Sequence, residues 1–242
     1  MVAKWSRGIV WAAAVLMAAG CAQKTGTPEA GEAPAKPAVA KGEPKPDLQW
    51  DDLFNGKDLD NWKVAEFGGE GQVQVKDGLL MLPMGAMLTG VSYAGELPKI
   101  NYEVELEAMR VTGNDFFCGL TFPVNDSSAS LICGGWGGSV CGISSLDGYD
   151  AANNETTTVR EFKQGQWYKI RMRVMEKRLM AWVDETPIVD VSIKGRKVDV
   201  RVEVELCRPF GLASYQTTGA VKNVRIRTLN PEEITEKPEE QF

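Results

Sequence analysis

The residues best suited to chemistry lie in one polar stretch of the chain. It reads Asp147-Gly148-Tyr149-Asp150-Ala151-Ala152-Asn153-Asn154-Glu155. Two carboxylates can cleave a glycosidic bond, one acting as acid and the other as base or nucleophile, and we predict Asp147 and Glu155 as that pair. Asp150 and Asn154 are predicted to hydrogen-bond sugar hydroxyls. Two other interpretations stay open: a solvated loop that binds nothing, and a calcium site built from these oxygens.

One tryptophan stands in a glycine loop before this stretch, in the run Gly134-Gly135-Trp136-Gly137-Gly138. Glycine lets the backbone approach a ligand closely, and the C–H face of a sugar packs well on an aromatic ring. Trp136 is therefore predicted to stack on a sugar; the alternative is that it closes the end of the fold. Glu203 and Glu205 could line a sheet surface together with Arg208, although alternating charges are also typical of a wet face.

The chain contains no histidine. This excludes Ser-His-Asp and Cys-His catalysis and histidine metal ligands, so acid–base chemistry must use carboxylates, tyrosine or lysine. Apart from the calcium alternative, no cofactor is expected. A net charge of −6 without a basic cluster argues against nucleic acid as a partner.

The N-terminus has the pattern of an export signal. Lys4 and Arg7 precede an apolar run, residues 8–20, that is too short to span a bilayer and ends directly before Cys21. We predict a lipoprotein signal peptide over residues 1–20, with Cys21 lipidated and anchoring the protein to a membrane of the bacterial cell envelope, facing the periplasm or the exterior. The alternative is ordinary signal cleavage, with Cys21 incidental.

The remainder of the chain divides into three parts. Residues 21–47 hold the predicted lipidated cysteine and then repeat Pro, Ala, Lys, Glu and Gly with few large apolar side chains, a composition typical of a solvated linker. A folded domain is expected over residues 48–229. Residues 230–242 are acidic and are expected to form a frayed tail.

Alternation of apolar and charged residues predicts β-strands in the folded part. The pattern recurs at residues 102–108, 170–174, 178–183, 188–193, 198–206 and 224–227. A period of two puts one face of a strand in a core and the other in water, and short turn signals separate the strands without intervening helices. The sequence therefore predicts an all-β fold, two antiparallel sheets packed as a sandwich or jelly roll.

Four cysteines follow Cys21, namely Cys118, Cys133, Cys141 and Cys207. In an exported protein they permit two disulfides in three pairings. A hairpin centred on Gly137 would place Cys133 opposite Cys141, but a cross-strand bridge is strained. The other interpretation is four small buried thiols in strand positions.

Three motifs resemble the 3-keto-disaccharide hydrolase domain family. They are the entry sequence Leu53-Phe54-Asn55-Gly56-Lys57-Asp58-Leu59-Asp60-Asn61-Trp62, the hairpin segments 165–170 and 180–185, and the closing segments 211–213 and 221–226. The resemblance implies a concanavalin A-like sandwich that acts on or binds sugars. It also implies a role for Tyr215, as a sugar contact or as the base of an elimination. Many relatives have histidine near Trp182 and near Tyr215, and this chain has none.

Three functions follow as hypotheses. The first is an anchored enzyme that cleaves oxidised or ordinary glycosides, with Asp147 and Glu155 as acid and base and with Trp136 and Arg208 holding the sugar. The second is a glycan-binding module without catalysis, and the third is a structural domain of the cell envelope. The absence of histidine favours the last two, and the resemblance favours the first.

Overall fold

Fifteen strands in two antiparallel sheets make up the part of the chain, residues 49–234, that our computed structural model describes. In chain order they are β1 Asp51–Asp52, β2 Trp62–Val64, β3 Gln74–Lys76, β4 Leu79–Leu82, β5 Leu88–Tyr93, β6 Tyr102–Gly113, β7 Cys118–Val124, β8 Ser127–Gly135, β9 Val140–Ser144, β10 Thr158–Val159, β11 Trp167–Val174, β12 Arg178–Val183, β13 Thr186–Ser192, β14 Gly211–Tyr215 and β15 Thr217–Thr228. The eight-stranded sheet has the order β13-β12-β11-β6-β15-β4-β3, with β1 paired to β15. The seven-stranded sheet has the order β10-β9-β8-β7-β14-β5-β2.

The predicted all-β jelly-roll sandwich is confirmed. No helix within residues 49–234 is long and apolar enough to cross a membrane. The predictions for residues 1–48, including lipidated Cys21, and for residues 235–242 lie outside the described residues.

The core lies between the two sheets, and the residues that fill it are those that the period-two pattern places on one face of each strand. In β6 the residues Tyr102, Val104, Leu106 and Ala108 are fully buried, as predicted. In β7 the residues Cys118, Leu120 and Phe122 belong to the same core. Residues between them, such as Gly119 and Thr121, therefore face away from it.

The outer face of the eight-stranded sheet differs from the prediction of a wet, charged surface. Glu103 is only 1% exposed, because it lies between Arg173 (2.7 Å) and Arg227 (3.0 Å) on the two neighbouring strands. Glu105 likewise contacts Lys169 (2.8 Å) and Arg225 (2.6 Å). Opposite charges in cross-strand register attract each other, so this face is a ladder of ion pairs.

The strand predicted over residues 198–206 is wrong. Residues Val202–Cys207 form a 3-10 helix, and Val202 is 83% exposed. The segment crosses the outer face of the seven-stranded sheet, where Val204 and Cys207 pack with Leu88 and Ala213. Its two buried residues, Val204 and Cys207, pack against side chains instead of lying in a strand ladder. A period-two pattern cannot distinguish the two arrangements.

The acidic tail begins with a fixed segment, contrary to the expected fraying from Asn230. Residues Pro231–Glu233 form a short 3-10 helix. The Glu233 carboxylate binds Arg227 at 2.7 Å and Arg173 at 3.2 Å. These ion pairs connect the segment to the charged ladder.

All four cysteines of the described chain are free and buried, so the interpretation as unpaired thiols is confirmed and the disulfide alternative is wrong. Cys133 lies opposite Cys141 in the β8–β9 pair, as the hairpin argument predicted, and opposite Cys118 in the β7–β8 pair. The three thiols fill adjacent core positions as small apolar side chains do.

Candidate functional site

A cleft of about 290 Å³ lies against the outer face of the seven-stranded sheet. We call its residues from strands β8 and β9, Ser130, Ile132 and Ser144, the floor of the cleft. The other lining residues are Met87, Leu88, Asp115, Phe116, Trp136, Arg201, Glu203, Val204 and Tyr215. The volume is near the lower end of the range for ligand pockets, about 300–1,000 Å³, so the cleft has the size for one or two small rings.

Aromatic side chains form much of the cleft wall. Phe116 and Tyr215 stack with ring centroids 5.9 Å apart, and the Tyr215 hydroxyl donates to the Met87 sulfur at 3.7 Å. Trp136 is in the turn between β8 and β9 and is 42% exposed. Its own backbone is left-handed, with φ of 49°, which is uncommon for a bulky residue. The structure thus brings the predicted sugar contacts Trp136 and Tyr215 together.

A buried arginine holds the glycine loop that carries Trp136. Arg110 donates hydrogen bonds to the carbonyl oxygens of Gly138 (2.8 Å), Phe162 (3.0 Å), Gly134 (3.1 Å) and Asp115 (3.1 Å). The Asp115 carboxylate accepts from the Gly137 N–H at 3.0 Å. Desolvation lowers the pKa of Arg110. A Cβ on Gly134 would lie 2.4 Å from the Arg110 guanidinium, which would have to shift away from its carbonyl partners, and φ of +78° also favours glycine there.

Arg201 and Glu203 join the cleft to a second, polar recess. The two residues line both spaces, and the recess also contacts Ser145, Gly148, Asp150, Lys197, Asp199, Val200 and Val202. Arg201 binds Glu203 at 2.6 Å and Asp150 at 2.8 Å. The hydrogen bond from Arg201 lowers the pKa of Glu203, so Glu203 is an anion at neutral pH.

The predicted acid–base pair lies outside both spaces. Asp147 binds Arg196 at 2.7 Å, and Glu155 binds the same guanidinium from another side. The Lys197 N–H, and then Arg196, lower the pKa of Asp147. Asp147 and Glu155 are close together, as predicted, but they neutralise a cation instead of lining the cleft. Their catalytic role stays a prediction without geometric support.

Of the three other predicted sugar contacts, one lines the recess and two are bound to other residues of the protein. Asp150 lines the recess. Asn154 donates to the carbonyl oxygens of Ile143 (2.8 Å) and Asp150 (2.8 Å), which leaves its amide occupied by the loop. Arg208 binds Asp199 and Glu205 and lines neither space.

The calcium alternative gains no support from the polar run. Among residues 49–234, no three His, Cys, Asp or Glu side chains are grouped so that they could hold a metal ion. The carboxylates of Asp147, Asp150 and Glu155 each bind an arginine. Calcium binding stays a prediction.

Sequence reasoning missed most of the cleft floor and wall. Ser130, Ser144 and Phe116 carry no motif, and each belongs to a segment that reads as an ordinary strand or turn. The sequence did indicate Glu203 as a candidate, but on a predicted strand over residues 198–206, where the structure has a 3-10 helix. The available signal was the pair of small polar residues in β8, Ser128 and Ser130, at positions that alternate with core residues.

The fold and the cleft define a jelly-roll sandwich with an aromatic site on one sheet. The chain belongs to the 3-keto-alpha-glucoside-1,2-lyase-like domain family, whose model matches residues 49–227. This confirms the resemblance seen in the three motifs. A comparison with curated proteins gave no match.

Solved structures show the same architecture at low sequence identity. A protein of unknown function with a galectin-like fold from Bacillus subtilis has a TM-score of 0.52 and 9% identity, over 75% of this chain and 95% of that one. The Crh5 transglycosylase in complex with NAG has a TM-score of 0.51 and 12% identity, over 76% of this chain and 85% of that one. At these identities the likeness concerns the fold alone.

Proposed function

We propose that this protein is a carbohydrate-binding domain of the bacterial cell envelope whose cleft takes one sugar ring of a glycoside. The observation that carries the proposal is the cleft itself, in which exposed Trp136 and the stacked pair Phe116–Tyr215 border a floor with hydroxyl groups. Sugar rings present apolar C–H faces and polar edges, and this lining offers partners for both. Family membership and the NAG complex of the transglycosylase support a sugar as the ligand. The family description makes 3-keto-α-glucosides the first class to test.

Cleavage of the bound glycoside is the second candidate function, and Glu203 favours it. Its carboxylate lines the cleft and is kept ionised by Arg201, so it can accept a proton but cannot donate one, and the lowered pKa makes it a weaker base than a free glutamate. With a 3-keto sugar, Glu203 would take the proton on the carbon next to the carbonyl. The electrons of that C–H bond would form a C=C bond as the glycosidic C–O bond breaks, and the leaving oxygen would take a proton from water. Hydrolysis by Asp147 and Glu155 is the less favoured route, since neither acid lines the cleft or the recess.

Binding and turnover should be measured on 3-keto and unmodified α-linked disaccharides. We expect Trp136→Ala to weaken binding about tenfold or more, because ring packing contributes about 0.5–1.5 kcal/mol beyond the area it buries. Trp182→Ala is the matched control, since Trp182 packs on Arg171 in the other sheet, 4.2 Å from ring centroid to guanidinium. Equal affinities for wild type and Trp136→Ala would refute the sugar-binding proposal.

Turnover distinguishes the two candidates. Binding without turnover identifies a binding module. Turnover that is lost in Glu203→Gln and kept in Glu155→Gln supports the elimination, whereas the reverse pattern would restore the pair predicted from the sequence. Attachment to the membrane is a separate part of the proposal: the Cys21→Ser protein should leave the membrane fraction, and unchanged fractionation would refute the lipid anchor.

A further inference from the structure

Three hydroxyl groups form a row across the strands beneath the cleft. Thr121 in β7 lies opposite Ser130 in β8, and Ser130 lies opposite Ser144 in β9. Each residue is 1% exposed. All three side chains face away from the main core, on the sheet surface that the cleft covers.

Two of these hydroxyl groups form a hydrogen bond with each other, and the third has no hydrogen-bond partner in the described chain. The oxygens of Thr121 and Ser130 are 2.9 Å apart and share a hydrogen bond. The Ser144 hydroxyl is buried and has no hydrogen-bond partner among residues 49–234. Buried polar groups are rarely left unpaired, because each one costs about 1–3 kcal/mol. Ser144 also lines the cleft, so its missing partner can come from a ligand.

We infer that Ser144 is a specificity-determining residue, whose hydroxyl donates a hydrogen bond to an oxygen on the inserted edge of the sugar. This inference rests on the proposed function and names the ligand more closely. The floor offers hydroxyl groups and Ile132 but no charged side chain, while Arg201 and Glu203 are more exposed. An anionic substituent on the floor would be desolvated without a counter-charge. The inserted edge is therefore neutral, a hydroxyl or keto oxygen, which excludes sugars that would insert a carboxylate or phosphate.

The test is Ser144→Ala in the full chain, with methyl α-glucoside, its 3-keto derivative and its monodeoxy forms as probes. We expect the affinity for the best-bound probe to fall about 3- to 10-fold, the value of one lost hydrogen bond. In wild type, one monodeoxy form should lose affinity by a similar factor, and Ser144→Ala should abolish that difference. The melting temperature of the ligand-free variant should be unchanged or higher, because an unsatisfied hydroxyl has been removed.

Ser128→Ala is the matched control. Ser128 lies two residues before Ser130 on the same face of β8, and its hydroxyl donates to the Pro209 carbonyl at 3.2 Å. This variant should lose stability and keep its affinity. A loss of stability in Ser144→Ala as large as in Ser128→Ala would overturn the inference, because it would reveal an internal partner.

The affinities of the two variants distinguish a wrong inference about Ser144 from a wrong proposal of sugar binding. If Trp136→Ala weakens binding and Ser144→Ala does not, the role of Ser144 is refuted and sugar binding stands. If no probe binds, or if neither variant changes affinity, the proposed function falls and the inference falls with it.

Discussion

Replacing Arg110 by methionine should both destabilise the protein and weaken the ligand site. The side chain is 5% exposed, and its guanidinium donates to four carbonyl oxygens between 2.8 and 3.1 Å. Hydrogen bonds from a charged group contribute about 1.5–3 kcal/mol each, and a buried acceptor left unpaired costs about 1–3 kcal/mol. These values do not add, because the freed loop can turn some carbonyls toward water, and because removal of the cation also relieves its desolvation.

We therefore expect Arg110→Met to lose about 3–5 kcal/mol of the free energy of unfolding. For a domain of this size the melting temperature should fall by roughly 6–20 °C. Arg110→Lys keeps the charge but not the planar set of donors, so its loss should lie between those of wild type and methionine. In both variants sugar affinity should fall as well, since the same carbonyls hold the loop that carries Trp136.

Denaturant unfolding measures the free energy of unfolding of each variant, and calorimetry measures its melting temperature. Lys99→Met is the control, because the Lys99–Asp126 pair is exposed and long, at 3.5 Å, and such pairs contribute about 0–1 kcal/mol. A free energy of unfolding for Arg110→Met within 1 kcal/mol of wild type would refute the reasoning. It would mean that the loop is held by its glycines and by Asp115 without the guanidinium.

Three further predictions concern the loop, the acidic segment and the thiols. Gly138→Ala should destabilise the fold by about 1–3 kcal/mol, because φ is +109° and the new Cβ would lie 2.8 Å from the Asn114 carbonyl oxygen; an unchanged melting temperature would contradict the strain. The hydrogen bond from Arg227 lowers the pKa of Glu233 to about 2 from 4.5, so its stabilising contribution is present above pH 4.5 and is lost as the pH falls toward 2. Acid titration of Glu233→Gln should therefore show a shallower loss of stability in that window, and a curve parallel to that of wild type would count against the pairing. Burial raises the pKa values of Cys118 and Cys207 to about 12, so these two thiols should resist alkylation in the native protein at pH 8. In denatured, non-reduced protein, mass spectrometry should show Cys118, Cys133, Cys141 and Cys207 all alkylated, and an unreactive pair would contradict the free thiols.

The alternation of apolar and charged residues was sufficient to predict several strands of the eight-stranded sheet. The alternation in β6, β11 and β12 predicted both the strands and their buried faces, because the side-chain period of a strand is fixed by its backbone. The same rule failed at residues 202–207, where Val204 and Cys207 are buried against a sheet face instead of in a ladder, and Val202 and Leu206 are exposed.

The candidate site was less predictable, since it depends on contacts between distant parts of the chain. Trp136 was identifiable from its glycine neighbours, and Tyr215 only from the chemistry that the family resemblance implies, since it lies between the matching segments. The partners of the predicted acids were not identifiable: Arg196 is 49 residues from Asp147 and 41 from Glu155, and it turns both acids into structural ion pairs.

The sequence by itself determined the sandwich class, the buried strand faces and the aromatic residue in the glycine loop, because backbone geometry and local residue types encode these features. Only the tertiary structure decided which polar groups are available to a ligand. Whether a carboxylate or a hydroxyl is free depends on the partners that the fold brings to it, and here the fold neutralises Asp147 and Glu155 while it leaves Ser144 buried without a partner in the described chain, beside Trp136 and Tyr215.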